Sequence, residues 1–563
     1  MAYRSPVSEI RFILDKVVPL EPLSATERFA EATGETVEAI LTEAGKLCDE
    51  VMAPLIRNGD LTPAKLENGV VRSSPGFKEA YEQIAEGGWV GIASPVEYGG
   101  MGLPLTMAIA VNDMMSGANL ALQLNPLLTQ GQIDALEHHA SDEIKELYLP
   151  KLISGEWSGT VNLTEPQAGS DVGALRTKAE PNGDGTYSVT GQKIFISWGD
   201  SDMTKNVCHL VLARLPDGAP GTKGISLFMV PKYLPDANGE PGVANSLKVV
   251  SLEHKMGLHG SPTCVMSFEG AKGWMVDGPN KGMAAMFTMM NNARLNVGVE
   301  GIGIAEGAYQ KALQYAQERV QFKPIIEHAD VRRMLAEMKA EVFAARSIAL
   351  ACAVAIDLGH ATGDEAWAAR AALLTPIAKA YGTDTGMWVS DQGIQVHGGM
   401  GFIEETGAAQ YFRDVRVTAI YEGTNGIQSM DLVGRKMMDG GKAAFRLLQE
   451  VEEDARAARE ALPDLAEQVW EAAETLREHT EWMIGQDMQD RFAGSVPYLK
   501  AFTRVLGAHY HLRAAFAEGA GSRHAKLAAV YIRRLLPQFA AALAEAREGA
   551  AGLYALSVED LSA

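Results

Sequence analysis

The sequence predicts a multidomain α+β protein in which a β domain lies between helical domains. The chain has 563 residues, which is too many for one ordinary hydrophobic core. Apolar residues recur with helical spacing at both ends of the chain, whereas the middle has short runs rich in β-branched residues. We therefore expect an N-terminal helical domain (1–156), a middle antiparallel β domain (157–275), a C-terminal helical bundle (276–438) and an additional helical domain (439–563).

The N-terminal helices are predicted from amphipathic stretches separated by glycine-rich breaks. The stretches cover residues 25–58, 75–87, 104–136 and 142–153. In the middle domain, β-rich runs such as Lys193–Ser197 and Val207–Leu212 alternate with turn clusters such as 181–185. This alternation is typical of a small antiparallel sandwich or barrel.

Helical spacing returns near Lys281 and continues to Gln321. Further helices are predicted at about 329–358, 363–396 and 427–438. The last block, about 440–550, is rich in Ala, Glu, Arg and Leu, which favours helix throughout.

Composition excludes several functional classes. The chain has 71 acidic and 50 basic residues, a net charge of −21, which argues against general binding to nucleic acids or anionic membranes. A local basic patch could still bind a phosphorylated ligand. Four cysteines are far apart with no Cys-x-x-Cys spacing, so we expect buried thiols rather than a zinc site or disulfides, and no metal.

The N-terminus carries Glu9, Asp15 and Glu21 and has no continuous apolar run, so no signal peptide is expected. We also expect no apolar segment long enough to span a membrane. These features predict a cytoplasmic protein.

A candidate acid or base is Glu422, which is followed by Gly423 in a turn before a predicted helix. Removal of a proton beside a carbonyl requires a positioned base, and burial makes a carboxylate a better one. The alternative is a surface glutamate near a helix N-terminus, where the helix dipole favours it. This short stretch alone leaves both interpretations open.

Four other segments are candidates for a binding site, each with a purely structural alternative. The loop 162–171 presents hydroxyl and N–H groups, but it could be an ordinary turn. The strand 192–199 places Phe195 and Ser197 on one face, although periodicity alone favours a core aromatic. Arg319 ends a long helix, where its fork of donors suits a pyrophosphate or simply the helix C-terminus. The segment 395–402 is rich in glycine, yet it is neither a Rossmann fingerprint nor a Walker loop.

Together these stretches resemble the acyl-CoA dehydrogenases, FAD enzymes that desaturate acyl thioesters between the α and β carbons. The resemblance covers roughly residues 80–438. It implies that Glu422 is the catalytic base. Some relatives place the base one position before the arginine that matches Arg294, but this chain has Ala293 there, which strengthens the assignment of Glu422.

The resemblance also implies the binding residues. Those expected to bind FAD are Leu163, Thr164, Ser170, Phe195, Ser197, Arg319, Gln321, Phe322, Gln395, Gly398, Gly399 and Thr424. Those expected to bind the acyl-CoA substrate are Ser170, Asn291, Arg294, Tyr421 and Gly423. The chain departs from the family where Phe195 replaces a common Trp, Lys323 a common Gly and Asp330 a common Gln. No role is assigned to His397.

The resemblance implies a homodimer, in which Arg319 and Gln321 reach the partner's FAD, and an electron-transferring flavoprotein as electron acceptor. The opening segment 3–12 and the helical tail are similar to larger bacterial members, particularly those that oxidise 3-(methylthio)propanoyl-CoA in dimethylsulfoniopropionate breakdown. A short- or medium-chain fatty acyl-CoA is the alternative substrate. The remaining alternatives are an acyl-CoA oxidase and a non-catalytic DNA-associated relative, although the tail after residue 440 is more acidic than basic.

Overall fold

The computed structural model describes residues 3–563, apart from the side chain of Asn291. Along the chain, helices give way to a β-sheet, then to a helical bundle and then to further helices. The predicted fold class, multidomain α+β with an additional helical domain, is confirmed. Two predicted boundaries move. The first long helix begins at Gly34, where the Thr33 side chain accepts the Thr36 N–H, and the predicted helix 427–438 ends at Val433.

The N-terminal part is built around one long buried helix, Leu105–His139. Its backbone is non-helical at Asn119, where the side-chain amide accepts the Leu122 N–H (3.2 Å) and donates to the Met52 carbonyl (3.4 Å). These hydrogen bonds replace the helical ones that the break removes. The other helices of eight or more residues here are Gly34–Leu47, Phe77–Glu86 and Asp142–Ile153, and a small hairpin pairs Lys65–Glu67 with Val70–Arg72.

Seven strands of the described chain form the central sheet: Trp157–Asn162, Lys178–Pro181, Tyr187–Ser197, Asn206–Arg214, Ile225–Pro231, Leu247–Leu252 and Thr263–Val276. Five of them pair in a closed ring, because Ile225–Pro231 pairs with both Asn206–Arg214 and Thr263–Val276. The predicted antiparallel pairing holds for most of the sheet. Asn206–Arg214, however, pairs in parallel with Trp157–Asn162 and, through one residue pair, with Lys178–Pro181.

The bundle that follows consists of three long helices and two short ones. The long helices are Gly282–Glu318, Ala329–Thr362 and Glu365–His397, and the short ones are Ala408–Val415 and Asn425–Val433. Glycines at 298, 301, 382 and 386 allow the first and third long helices to touch backbone to backbone, since a Cβ at any of them would lie within 3 Å of the facing main chain.

The last part of the chain packs on the bundle. Its main helices are Lys442–Ala458, Pro463–Ile484, Ser495–Glu518, Arg523–Val530 and Gln538–Ala546. Arg504 donates to Glu341 of the bundle (2.5 Å), and the imidazole of His524 stacks on Phe12 near the N-terminus (3.9 Å between centroids). These contacts join the added helices to the body of the protein.

Two helical segments are long and apolar enough on average to cross a membrane, Ala329–Thr362 and Arg523–Ala546. Neither is an uninterrupted apolar run of that length, because charged residues such as Arg346 and Arg533 lie within them. The apolar window of the first is 94% buried inside the bundle, so its apolar composition is that of a core helix; the window of the second is 33% buried.

Candidate active site

A cavity of about 90 Å³, partly open to solvent, lies between two long helices, Leu105–His139 and Gly282–Glu318. Leu127, Leu128 and Gly131 contribute to its wall from the first helix. Glu422 and Val161, the latter from the first strand of the sheet, also line it. The cavity therefore brings the predicted base close to the β domain.

Glu422 lies in a turn just before the helix Asn425–Val433. It precedes the N-cap Thr424, whose hydroxyl accepts the Ile427 N–H at 3.2 Å. The Gln428 amide donates to the carbonyls of Glu422 (3.2 Å) and Gly423 (3.1 Å). These bonds fix the turn from the helix side, and the side chain lines the cavity instead of capping the helix.

Burial raises the pKa of the Glu422 carboxyl, and the nearby charges of Arg294 and Lys379 oppose that increase. A raised pKa makes the carboxylate more basic, which suits proton abstraction. Arg294 is buried and forms an ion pair with Asp431 (3.4 Å). Its neighbour Ala293 lines the cavity and has no side chain that could act as a base. Asn291, predicted to bind substrate, lies outside the side chains that the structure describes.

The loop after the first strand is organised by a buried ion pair that sequence reasoning missed. Lys193 contacts the Glu165 carboxylate (2.9 Å) and the Leu163 carbonyl (3.0 Å), and the N–H groups of Arg176 and Thr177 donate to the same carboxylate at 2.7 and 3.0 Å. Burial by itself would raise the pKa of Glu165, but Lys193 and these donors lower it to about 2. The visible signal was a lysine inside an otherwise apolar strand.

This ion pair positions the predicted flavin-binding groups. The Thr164 carbonyl accepts the Ile194 N–H at 2.9 Å, so the loop and the strand Tyr187–Ser197 lie side by side. Thr164 and Ser197 are half-buried, and Ser170 is exposed.

The strand periodicity favoured a core position for the Phe195 ring, but the ring does not lie in the core. The strand pairing shifts register beside it, its backbone has a left-handed φ of 60°, and its side chain is 61% exposed. The buried ring in this segment is Trp198, whose indole N–H donates to the Ala121 carbonyl at 3.1 Å. A bulge therefore turns Phe195 outward, where a flat ligand could cover it.

The other predicted cofactor residues lie at a second location. Arg319, Gln321 and Phe322 are all exposed around a small hairpin, and Gln395, Gly398 and Gly399 are exposed at the end of the helix Glu365–His397. The two segments are neighbours because Tyr315 stacks on His397, with 4.4 Å between ring centroids. Helix geometry, at 1.5 Å per residue, places Arg319 about 37 Å from Arg294 along the same helix. The second location is therefore remote from Glu422 of its own chain.

The residues present fit FAD. At the first location, an exposed aromatic ring lies beside hydroxyl and main-chain groups suited to a flavin edge. At the second, a Cβ at Gly398 or Gly399 would meet no heavy atom within 4 Å, and Gly398 has a φ of 59°, so a ligand could approach the main chain closely. Arg319 adds a guanidinium suited to a pyrophosphate.

Sequence reasoning also missed two titratable groups close to the predicted base. Glu300, from the helix Gly282–Glu318, and Lys379, from Glu365–His397, are both buried. The Tyr421 phenol donates to Glu300, and the Lys379 ammonium donates to the Asn425 side-chain oxygen at 2.9 Å. Burial lowers the pKa of Lys379 to about 8. In the sequence, the one sign of a buried carboxyl was that Glu300 lies among small and apolar residues of a predicted helix.

Among the described residues, Glu450, Asp454 and His509 approach one another closely enough to bind a metal ion. The structure gives these carboxylates other partners, because Arg370 and Arg513 pair with Glu450 and the imidazole contacts Asp454 at 2.7 Å. We assign no metal to this cluster.

A carboxylate that lines a cavity between two helices, next to a β domain with an exposed aromatic ring, is the arrangement expected of flavin-dependent acyl-thioester oxidoreductases. The chain belongs to the acyl-CoA dehydrogenase family. Family models match its N-terminal domain (34–156), middle domain (160–271) and C-terminal domain (280–438). A model described as "Acetyl-CoA dehydrogenase C-terminal like" matches 447–557. The enzymes of this family use FAD, so FAD is the cofactor and an acyl-CoA the substrate.

Individual proteins of this family are similar to the chain over most of its length. A 3-methylmercaptopropionyl-CoA dehydrogenase of Ruegeria pomeroyi is 44% identical over 89% of this chain and 88% of its own. A butyryl-CoA dehydrogenase of Syntrophomonas wolfei is 38% identical over 77% and 75%. The Caenorhabditis elegans ACDH-11 structure in complex with C11-CoA shares the fold, with a TM-score of 0.80 at 20% identity over 94% of this chain and 91% of that one.

Proposed function

We propose that Glu422 removes the α-proton of the acyl thioester and that the substrate is 3-(methylthio)propanoyl-CoA, also called 3-methylmercaptopropionyl-CoA. The observation that carries the proposal is the position of Glu422 in the wall of the cavity, with a carboxyl whose pKa is raised by burial. FAD, held by the predicted cofactor residues, would supply the hydride acceptor that α,β-dehydrogenation requires.

The charge that develops on the thioester oxygen requires hydrogen-bond donors. Within residues 3–563, the main-chain N–H of Glu422 makes no hydrogen bond to another protein group, so it is available as one such donor. Arg294 lies close to the same turn, because a Cβ on Gly423 would be 3.8 Å from the guanidinium. This arrangement supports the proposed substrate-binding roles of Arg294 and Gly423.

One feature of the cavity supports a short acyl group with a sulfur atom. Asn112 donates to Gln130 (3.0 Å) and Asn296 (2.8 Å), and Gln130 donates to the Trp89 carbonyl (3.2 Å), so Gln130 and Asn296 form a fixed polar wall. A long alkyl chain would have to bury against these amides, at a cost in desolvation. A thioether is a weak acceptor and tolerates such a wall better than an alkyl tail.

The named activity of the Ruegeria pomeroyi relative supports the same substrate. The second candidate is butanoyl-CoA, favoured by the relatives named butyryl-CoA dehydrogenases. Both substrates have short acyl chains.

We further propose a homodimer in which the residues around Arg319 and Gly398 bind the adenosine diphosphate part of the partner's FAD. The distance of about 37 Å between Arg319 and Arg294 along one helix supports this arrangement, because one chain cannot bring both to the same part of the cofactor. An electron-transferring flavoprotein is the proposed acceptor. We also propose that the chain divides into the four domains 1–156, 157–275, 276–438 and 439–563, and that the enzyme is cytoplasmic.

The test of the base compares two carboxylates of the same cavity. Glu422→Gln should keep its FAD but lose about 10²–10⁴-fold in turnover, as expected when a general base is removed. Glu137→Gln, which changes another carboxylate of the cavity wall, should retain turnover. Full turnover by Glu422→Gln would contradict the assignment.

The substrate is tested by anaerobic bleaching of the flavin absorbance with 3-(methylthio)propanoyl-, butanoyl- and hexanoyl-CoA. We expect the methylthio substrate to reduce the flavin fastest and hexanoyl-CoA slowest. Faster reduction by butanoyl-CoA would favour the second candidate, and fastest reduction by hexanoyl-CoA would contradict the proposed polar wall.

A further inference from the structure

Directly before the base, Tyr421 forms a hydrogen bond to a carboxyl in the interior of the bundle. Its phenol donates to Oε2 of Glu300. Glu300 is 1% exposed, and its Oε1 has no protein partner within hydrogen-bond distance in the described chain. A buried carboxyl with one contact, next to a catalytic turn, suggests a specific role rather than a surface charge.

The titratable groups that face Glu300 come from two elements. Lys379 faces it from the helix Glu365–His397, and Tyr421 and Glu422 face it from the turn before Asn425–Val433. Burial raises the pKa of Glu300 to about 8, the Tyr421 hydrogen bond opposes this increase, and the charge of Glu422 adds to it. The raised pKa favours the protonated form of Glu300, which reduces the repulsion between Glu300 and the Glu422 carboxylate.

The backbone of Glu422 requires support on both sides. Its φ of 54° lies in the left-handed region, which costs a residue other than glycine of order 1–3 kcal/mol and persists only where the surroundings impose it. Gln428 fixes the following side through the carbonyls of Glu422 and Gly423. Tyr421, bonded to Glu300, is placed to fix the preceding side.

We propose that Glu300 is a positioning residue that acts through Tyr421. It accepts the phenol of Tyr421 and so keeps the main chain of the turn in the conformation that directs the Glu422 carboxylate into the cavity. This inference rests on the proposed role of Glu422 as base. It assigns the Tyr421 hydroxyl to Glu300 rather than to the substrate.

The experiment removes the hydrogen bond between Tyr421 and Glu300 by substituting each residue in turn in the FAD-loaded full-length enzyme. Glu300→Leu and Tyr421→Phe should each lower kcat by about 10- to 100-fold, as misplacement of a reacting group by about 1 Å does. KM and FAD content should change less than twofold. Glu300→Gln should stay within about threefold of the unsubstituted enzyme, because its amide oxygen still accepts the phenol.

A matched control is available in the same bundle. The Tyr381 phenol donates to the buried carboxyl of Glu341, beside Tyr531 of the added helices. Tyr381→Phe removes the same kind of hydrogen bond, but the partners of Tyr381 do not belong to the turn that carries Glu422, so its kcat should be unchanged. The double variant Glu300→Leu/Tyr421→Phe should be no slower than the slower single variant, since both interrupt one link.

Three results would overturn the inference: unchanged kcat in Tyr421→Phe, a Glu300→Gln enzyme as slow as Glu300→Leu, or a rise in KM in place of a fall in kcat. Tyr421→Phe removes one oxygen atom and decides the question if Glu300→Leu fails to fold. Full turnover by Glu422→Gln would instead contradict the proposed base, so the two failures are distinguishable.

Discussion

Replacement of Arg346 by methionine should destabilise the protein strongly, because Arg346 joins three segments of the chain through buried ion pairs. Its guanidinium contacts the carboxylates of Glu9 (2.5 Å), Asp113 (2.6 Å) and Glu306 (3.0 Å). Asp113 and Glu306 lie on the two helices that form the cavity walls, Leu105–His139 and Gly282–Glu318. The same cluster therefore supports the fold and the shape of the site.

The magnitude follows from what the substitution leaves behind. Lys339 remains near Glu9 (2.7 Å) and Glu306 (3.7 Å), but Asp113 loses the cation that pairs with it. Removing one partner of a buried ion pair costs about 3–5 kcal/mol. With an unfolding entropy of roughly 2.1 cal/mol/K per residue, this lowers the melting temperature by about 3 °C if all the residues unfold together, and by more if a smaller unit unfolds.

The assay is thermal unfolding of the FAD-loaded protein followed by circular dichroism, with Arg459→Met as the control. Arg459 forms an ion pair with Glu467 in which both side chains are exposed, so its removal should cost at most about 1 kcal/mol. Equal melting temperatures for Arg346→Met and Arg459→Met would refute the reasoning.

Two further predictions concern the active site. Burial raises the pKa of Glu422 and the charge of Arg294 lowers it. Because the base acts when deprotonated, kcat/KM should fall as the pH drops through the raised pKa of Glu422. Arg294→Gln should move this fall to higher pH, and a pH profile unchanged by the variant would contradict the prediction. Gly398→Val should reduce FAD content, because it adds a branched side chain at a φ of 59° beside the proposed cofactor path; Gly183→Val, in an exposed turn with a φ of 83°, imposes similar strain elsewhere and should keep its FAD.

The order of structural classes could be read from the sequence because it depends on local periodicity. The helices Leu105–His139 and Gly282–Glu318 follow from spacing that a single window reveals. The position of Phe195 could not be read in this way. A strand alternates faces in sequence, but a register shift against Thr263–Val276 turned this ring outward.

The candidate base was visible in the sequence because Glu422 lies within one contiguous motif. Its supporting groups were not visible, because Glu300 and Lys379 are 122 and 43 residues away along the chain and meet it only when two helices pack against the turn. The same is true of Glu165 with Lys193 and of Arg346 with its three carboxylates. Local sequence determines which helices, strands and turns can form, whereas the electrostatic surroundings of a site depend on distances that only tertiary packing sets.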